Sequence, residues 1–362
     1  MEDSMKIMKT VTQFALATVL LCVSASMATS QIISVTAGDF TKVGLSGGQF
    51  LKIGVGARST GMAGAYSALG NDVTSIFWNP AGIADVKRYA ADFSQTLWFA
   101  GMTHSFAAVV IPVSEKFRLG ASFTGFSSGD INVTTTAQQE GTGGIYNVSD
   151  IAIGVTLAGY LTEQFSFGAT AKYVQHAFTN MSASGFVFDV GTRYNTGFNG
   201  LVLGFSINSL GTQQAFEGPD VTRTNPPTNG TNSSPLDMQL QTASFSMPLS
   251  FRAGVGLDLC KGVVFEPEVD GDGVLQHSWT TAFDFETYSD VPEQFAIGTE
   301  YTWKEFVSLR AGYRFGSDQF GLAGGIGVRY NGGGFDGQID YSINPSQNLG
   351  LINRFSVAMR FN

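Results

Sequence analysis

Asn353-Arg354-Phe355-Ser356-Val357-Ala358-Met359-Arg360-Phe361-Asn362 alternates in character with period two. Phe355, Val357, Met359 and Phe361 share one parity, and Arg354, Ser356, Ala358 and Arg360 share the other. Successive side chains of a strand point to opposite faces, so the segment reads as a strand with one greasy and one charged face. The greasy face needs a cover. Lipid supplies one for a closed barrel, whose interior tolerates polar groups.

Working back from this segment, the same pattern recurs in fourteen candidate strands near 90–99, 102–112, 116–130, 147–161, 165–178, 184–196, 200–210, 248–260, 279–288, 294–303, 306–316, 320–330, 335–343 and 352–362. Transmembrane strands need about 9–11 residues each, and bacterial barrels use even strand numbers. Val307, Leu309, Ala311, Tyr313 and Phe315 oppose Ser308, Arg310, Gly312 and Arg314, and Phe335, Ile339, Tyr341 and Ile343 oppose Asp336, Gln338, Asp340 and Ser342. An Arg facing mid-membrane lipid costs about 2–4 kcal/mol, so the charged parity belongs inside. The predicted lumen carries Arg118, Lys172, Arg193, Arg252, Arg310, Arg314, Arg329, Arg354 and Arg360 beside Asp92, Asp189, Asp258, Asp284, Glu286, Glu300, Asp336 and Asp340. That set is nearly neutral and able to cross-link. The expected fold is all-β, a 14-stranded antiparallel transmembrane β-barrel over residues 90–362 with a small N-terminal plug or hatch.

Composition agrees. The 362 residues include 30 Phe and 45 Gly, and 14% are charged, against about 25% in soluble domains. A soluble β-sandwich with one solvated face is the alternative. Export and the aromatic load favour the membrane. Lys6 and Lys9 precede an apolar run over 11–23, followed by Ser26-Met27-Ala28, so residues 1–30 read as a secretory signal peptide. The run is too short for a spanning helix of about 20 residues, and no later segment is long and apolar enough. Once Cys22 leaves with the signal, Cys260 is alone and no intrachain disulfide is possible. A net charge of −9 with dispersed cations excludes nucleic acid as the natural partner.

Short connections at 112–115, 162–163, 196–199 and 331–334 should mark one barrel end, and the polar 132–146 and long 211–247 connections the other. Thr224-Asn225-Pro226-Pro227-Thr228-Asn229-Gly230 marks the latter as a large mobile outer loop. The acidic 261–278 connection breaks the rule, because it is long and falls at the short-turn end. Residues 31–89 differ from the rest. The small-residue stretch 54–69 suggests one closely packed helix ended by Asn71-Asp72. Ile76-Phe77-Trp78-Asn79-Pro80-Ala81-Gly82-Ile83 suggests an apolar segment closed by a turn, with Pro80 fixing its own φ and pushing Asn79 towards extended geometry. Ahead of the first strand, such a segment would plug the lumen.

Phe50-Leu51-Lys52-Ile53-Gly54-Val55-Gly56-Ala57-Arg58, Gly61-Met62-Ala63-Gly64-Ala65 and Trp78-Asn79-Pro80-Ala81-Gly82 resemble the opening of PorV/PorQ family outer-membrane proteins. Gly298-Thr299-Glu300-Tyr301-Thr302-Trp303 and Leu309-Arg310-Ala311-Gly312-Tyr313-Arg314 are similar to that family's late strands. The Asn-Pro-Ala element is shared with the FadL-like fatty-acid transporters, fourteen-stranded barrels with an N-terminal hatch. The resemblance implies a Bacteroidetes-type protein of the bacterial outer membrane. Its partners would be outer-membrane lipid, type IX secretion-system proteins, and exported proteins with a C-terminal sorting domain that it binds or anchors at the cell surface. The FadL-like alternative is a conduit for hydrophobic small molecules. Arg58, Gly61, Gly64, Asn79, Pro80 and Ala81 form the hatch motif. Arg252, Asp258, Glu300, Arg310, Arg314, Asp336, Asp340, Arg354 and Arg360 form the lumen charge network, with Arg58 latched to Glu300 or Asp340.

Other chemistry is weaker. Gly54-x-Gly56-x-x-Ser59 lacks the third Gly and the βαβ setting of a dinucleotide loop. Gly321, Gly324, Gly325 and Gly327 suit a crowded lumen. Glu266, Glu268, Asp270 and Asp272 could ligate Ca²⁺, but the full calcium-loop pattern is absent. His104, His176 and His277 are scattered, without metal-ligand spacing or a nucleophile motif. No enzyme, cofactor or metal is expected.

Overall fold

The structure, a computed structural model, describes residues 44, 46–225, 236–260, 269, 275–332 and 335–361. Residues 1–30, expected as a signal peptide, residues 226–230 of the long loop, and the acidic Glu266, Glu268, Asp270 and Asp272 lie outside the described residues.

Fourteen strands close into one antiparallel barrel, as their alternation predicts. They are β1 Tyr89–Leu97, β2 Thr103–Pro112, β3 Phe117–Ser127, β4 Val148–Tyr160, β5 Phe165–Phe178, β6 Met181–Asn195, β7 Val202–Gly211, β8 Ser250–Asp258, β9 His277–Tyr288, β10 Gln294–Trp303, β11 Val307–Phe315, β12 Leu322–Gly332, β13 Phe335–Ser346 and β14 Gly350–Phe361. Each strand pairs with its sequence neighbours, and β1 meets β14 from Tyr89↔Phe361 to Leu97↔Asn353. Closure leaves no unpaired edge, the condition lipid imposes on a sheet. Among the barrel ladders, a register shift falls between Phe188 and Val190 of β6. There Asp189 turns inward to accept the Ser209 N–H at 2.8 Å and to pair with Lys172.

The two parities separate cleanly. Leu309 and Phe355 are 53% and 49% exposed on the outer face, while Arg310 and Arg354 are 5% and 3% exposed inside. Outward aromatics meet across strands, as with Tyr341–Phe355 at 5.0 Å and Phe283–Phe295 at 5.9 Å. The glycines of β12 divide: Gly325 lies against Gly61 and Gly327 against Arg310 and Asp340, while Gly324 is on the opposite parity. Only part of that run serves the crowded interior.

The apolar core lies inside the cylinder and comes largely from the hatch: Val55, Met62, Tyr66, Ile76, Trp78 and Ile83 are all buried. The short helix expected within 54–69 is confined to the start of that stretch and does not run on to Asn71-Asp72. Helix α1 spans only Ala57–Gly61, because Ala63 (φ 56°) and Gly64 (φ 82°) turn left-handed. Packing sets this break. A Cβ on Gly64 would lie 3.0 Å from the Trp78 ring and 2.2 Å from the Arg314 guanidinium, so tertiary contact overrides the local helical tendency. Helix α2, Ser75–Trp78, ends at extended Asn79 (φ −154°, ψ 105°), and Pro80 opens the 3₁₀ turn Pro80–Asp85. Asn79 caps that turn by accepting the Ala81 N–H at 3.1 Å.

The wall is bare where the hatch touches it. A Cβ on Gly298 would fall 2.4 Å from the Met62 carbonyl, one on Gly204 2.4 Å from the Ser67 carbonyl, and one on Gly168 2.3 Å from the Pro80 carbonyl carbon. At the loop end, the described parts of the 211–247 connection fold back rather than standing free. Gln214 bridges Phe245, Ser246 bridges Ser46, and Met247 is buried with Phe50, Val174 and Val187.

Candidate functional site

Two charge clusters fix the hatch to the wall. In the first, Arg58 on α1 sends Nε and Nη2 to Glu300 of β10 at 2.9 and 2.7 Å. Its Nη1 reaches Tyr66 Oη, Asn71 Oδ1 and Asp72 Oδ2 at 3.0, 2.7 and 3.0 Å. Glu300 also accepts Arg310 Nε at 2.5 Å, and Arg310 Nη1 continues to Asp340 at 2.7 Å. Guanidinium forks suit this planar bridging. Burial pushes the Asp72 carboxyl up, but Arg58 and hydrogen bonds from Thr74 and Tyr66 hold it below its usual value.

In the second cluster, Glu286 joins Arg252 at 2.5 Å and Arg314 at 2.8 Å. Arg314 also donates through Nε and Nη2 to the Ala63 carbonyl at 3.1 and 2.9 Å, and Arg252 lies 4.9 Å over the Trp78 ring. Asp284 Oδ2 accepts the N–H groups of Tyr66 and Ser67 at 3.1 and 2.8 Å. Asn79 donates to the Ser67 and Thr192 carbonyls at 2.8 and 3.1 Å. The hatch backbone is thus held by wall side chains where its own helices are too short to satisfy it.

The remaining positions do not join these clusters. Asp258 sits at the end of β8 and accepts the Cys260 N–H at 3.1 Å. Asp336 pairs with Arg88, just ahead of β1. Arg360 and Arg354 make no ion pair with a described residue. Sequence reading missed the partners Asp72, Arg88 and Asp85, which pairs with Arg193, and the Lys52–Asp290 pair at 3.0 Å. They lie in the hatch or in turns, where no alternation assigns a face.

The hatch leaves two spaces that share no lining residue. The loop-end cavity is about 600 Å³ and stops on Thr60, Ala63, Gly64 and Trp78 of the hatch; Trp98, Phe99, Phe320 and Pro292 belong to its rim. The short-turn cavity is about 580 Å³ and polar, lined by Arg58, Arg88, Glu300, Arg329 and Arg360 among others. Among the described residues, no group of three or more metal-ligating side chains forms. The three histidines stay apart: His176 bonds Asp150 at 2.8 Å, His277 bonds Tyr301 at 2.6 Å on the outer parity, and His104 is buried on β2.

Residues 39–213 match the family described as Type IX secretion system protein PorV. No curated protein matches the chain. Among solved structures, the Pseudomonas putida toluene transporter TodX is 13% identical with a TM-score of 0.56, covering 84% of this chain and 97% of its own. The Ralstonia pickettii toluene transporter TbuX is 11% identical with a TM-score of 0.53, covering 85% of this chain and 99% of its own. At such identity the likeness is one of fold. A closed fourteen-stranded wall with residues 46–88 packed into it has the fold of a bacterial outer-membrane barrel, and hatch and early strands match the PorV family model.

Proposed function

We propose that this barrel serves type IX secretion by binding or anchoring exported proteins at the cell surface, without catalysis. In this reading residues 1–30 are removed on export, residues 31–89 are the hatch and residues 90–362 the wall. The long-loop end faces outward and the short turns face the periplasm, as in other outer-membrane barrels. The Arg58–Glu300 pair latches the hatch. One observation supports the reading: the loop-end and short-turn cavities share no described lining residue, and the hatch abuts bare wall glycines. A loop-end space kept apart in this way holds a guest rather than passing it on.

The test places a photo-crosslinking residue at Phe320, on the cavity rim, in cells. Adducts with exported proteins bearing a C-terminal sorting domain are expected. Their absence, with the barrel correctly assembled, would sink the proposal. A conduit for hydrophobic small molecules is the second reading, favoured by the likeness to toluene transporters and by Phe50, Ile53 and Phe126 in the cavity lining. It predicts slower uptake of toluene-like compounds by deletion strains; unchanged uptake removes it.

A further inference from the structure

Arg354 bridges the closing seam of the barrel through neutral partners alone. It lies on β14, is 3% exposed and lines the loop-end cavity. Its Nε donates to Thr96 Oγ1 at 2.7 Å and its Nη1 to Asn344 Oδ1 at 3.2 Å, both neutral acceptors. Its Nη2 meets no hydrogen-bond acceptor among the described residues, and no described carboxylate lies within ion-pair distance.

The other cations lining the same cavity are matched. Lys52 has Asp290, while Arg252 and Arg314 share Glu286. Of the anions, Asp150 is bonded to His176 and Asp318 stands exposed on the rim. A buried guanidinium without a counter-charge is costly, and the fold could have used an apolar residue here at little loss. Its retention beside a cavity points to an anion that arrives from outside.

We infer that the loop-end cavity takes a short apolar peptide segment of the exported partner and that Arg354 anchors one carboxylate of it. This rests on the proposed function and adds the chemistry of recognition. The volume of about 600 Å³ lies within the range of about 300–1,000 Å³ typical of small-ligand pockets, so a peptide end or hairpin tip fits and a folded domain does not. Ile53, Trp98, Phe99, Phe126, Phe320 and Ile352 supply apolar walls. Arg354 supplies a positive charge and one guanidinium nitrogen in reserve, able to donate a charge-assisted hydrogen bond to a carboxylate. The carboxylate is either the chain terminus or an Asp or Glu side chain.

Three fluorescein-labelled apolar hexapeptides test this on the purified full-length protein in detergent, by fluorescence anisotropy. One ends in a free carboxylate, one is the same peptide amidated, and one is amidated with a single internal Asp. Either acid-bearing peptide should bind roughly ten- to a hundredfold more tightly than the neutral one, the worth of a charge-assisted hydrogen bond. Which acid form binds identifies the source. Arg354→Met should erase the difference and Arg354→Lys restore part of it. The wild-type comparison of acid with amide stands even if a variant fails to assemble.

Equal binding of acid and amide, or no binding of any of the three, overturns the inference. So does displacement by decanoate where peptides do not bind, since the guest is then a free amphiphile. Capture of sorting-domain proteins by Arg354→Met as well as by wild type removes the anchor and leaves the proposed function intact. Capture by neither removes the proposed function as well.

Discussion

Arg310 holds two carboxylates at once, Glu300 at 2.5 Å and Asp340 at 2.7 Å, in a setting where all three side chains are buried. In Arg310→Ala, Glu300 keeps Arg58 while Asp340 loses its only ion-pair partner among the described residues. Breaking a buried pair costs about 3–5 kcal/mol, so the variant should unfold at correspondingly lower urea in vesicles, and a loss under about 1 kcal/mol would mean that water already solvates the cluster. Asp290 sits outside the wall strands, in the β9–β10 connection, and holds the start of the hatch through Ser46, Gln49 and Lys52. Burial pushes its carboxyl up, but those three donors hold it below its usual value. A depressed folded value means the contribution is complete above the ordinary Asp value of about 4 and is lost as pH falls through the lower folded value. Hydrogen exchange at residues 46–53 should therefore rise below about pH 4 in the wild type, while Asp290→Asn exchanges faster at neutral pH and changes little on acidification.

Strands and hatch were unequally legible in the sequence, for a physical reason. A strand between lipid and lumen is sorted residue by residue, so Phe355 and Arg354 declare their faces without reference to anything distant. Alternation gives the face and not the height. Glu300 could be placed inside from its parity, but its partnership with Arg310 needs the β10–β11 register. Asp336 could likewise be placed inside, yet its partner Arg88 precedes the first strand and has no parity to read. Inside the cylinder the hatch answers to packing, which is why a small-residue run that suggests one helix becomes a five-residue turn of helix followed by left-handed Ala63 and Gly64. Only Asn79-Pro80 announced its local geometry, because proline restricts both residues. The same packing predicts that Gly298→Val drives a side chain into the Met62 carbonyl. Overpacking of this kind costs about 1–3 kcal/mol, and hatch proteolysis should accelerate while strand content by infrared spectroscopy is unchanged; an undisturbed hatch would show that Met62 has room to withdraw.

At the scale of the molecule, outer surface and interior have exchanged the roles they hold in a soluble protein. Ile297, near the middle of β10 on the outer parity, tests this. Ile297→Arg should lower unfolding free energy in vesicles by about 2–4 kcal/mol, whereas a cost below about 1 kcal/mol would place that face against protein or water. The hatch adds a constraint of another kind. Ala57 donates its N–H to Ser356 of β14 at 2.7 Å, and Thr60 shares a hydroxyl contact of 2.9 Å with Ser342 of β13. The segment synthesised ahead of the barrel wall is therefore seated by the last two strands of that wall. Until those arrive, a nascent chain carries a mandrel with nothing wound around it, so chaperoning in transit must shield both the bare mandrel and the unrolled sheet, and truncation of the closing strand should unseat the chain's opposite end.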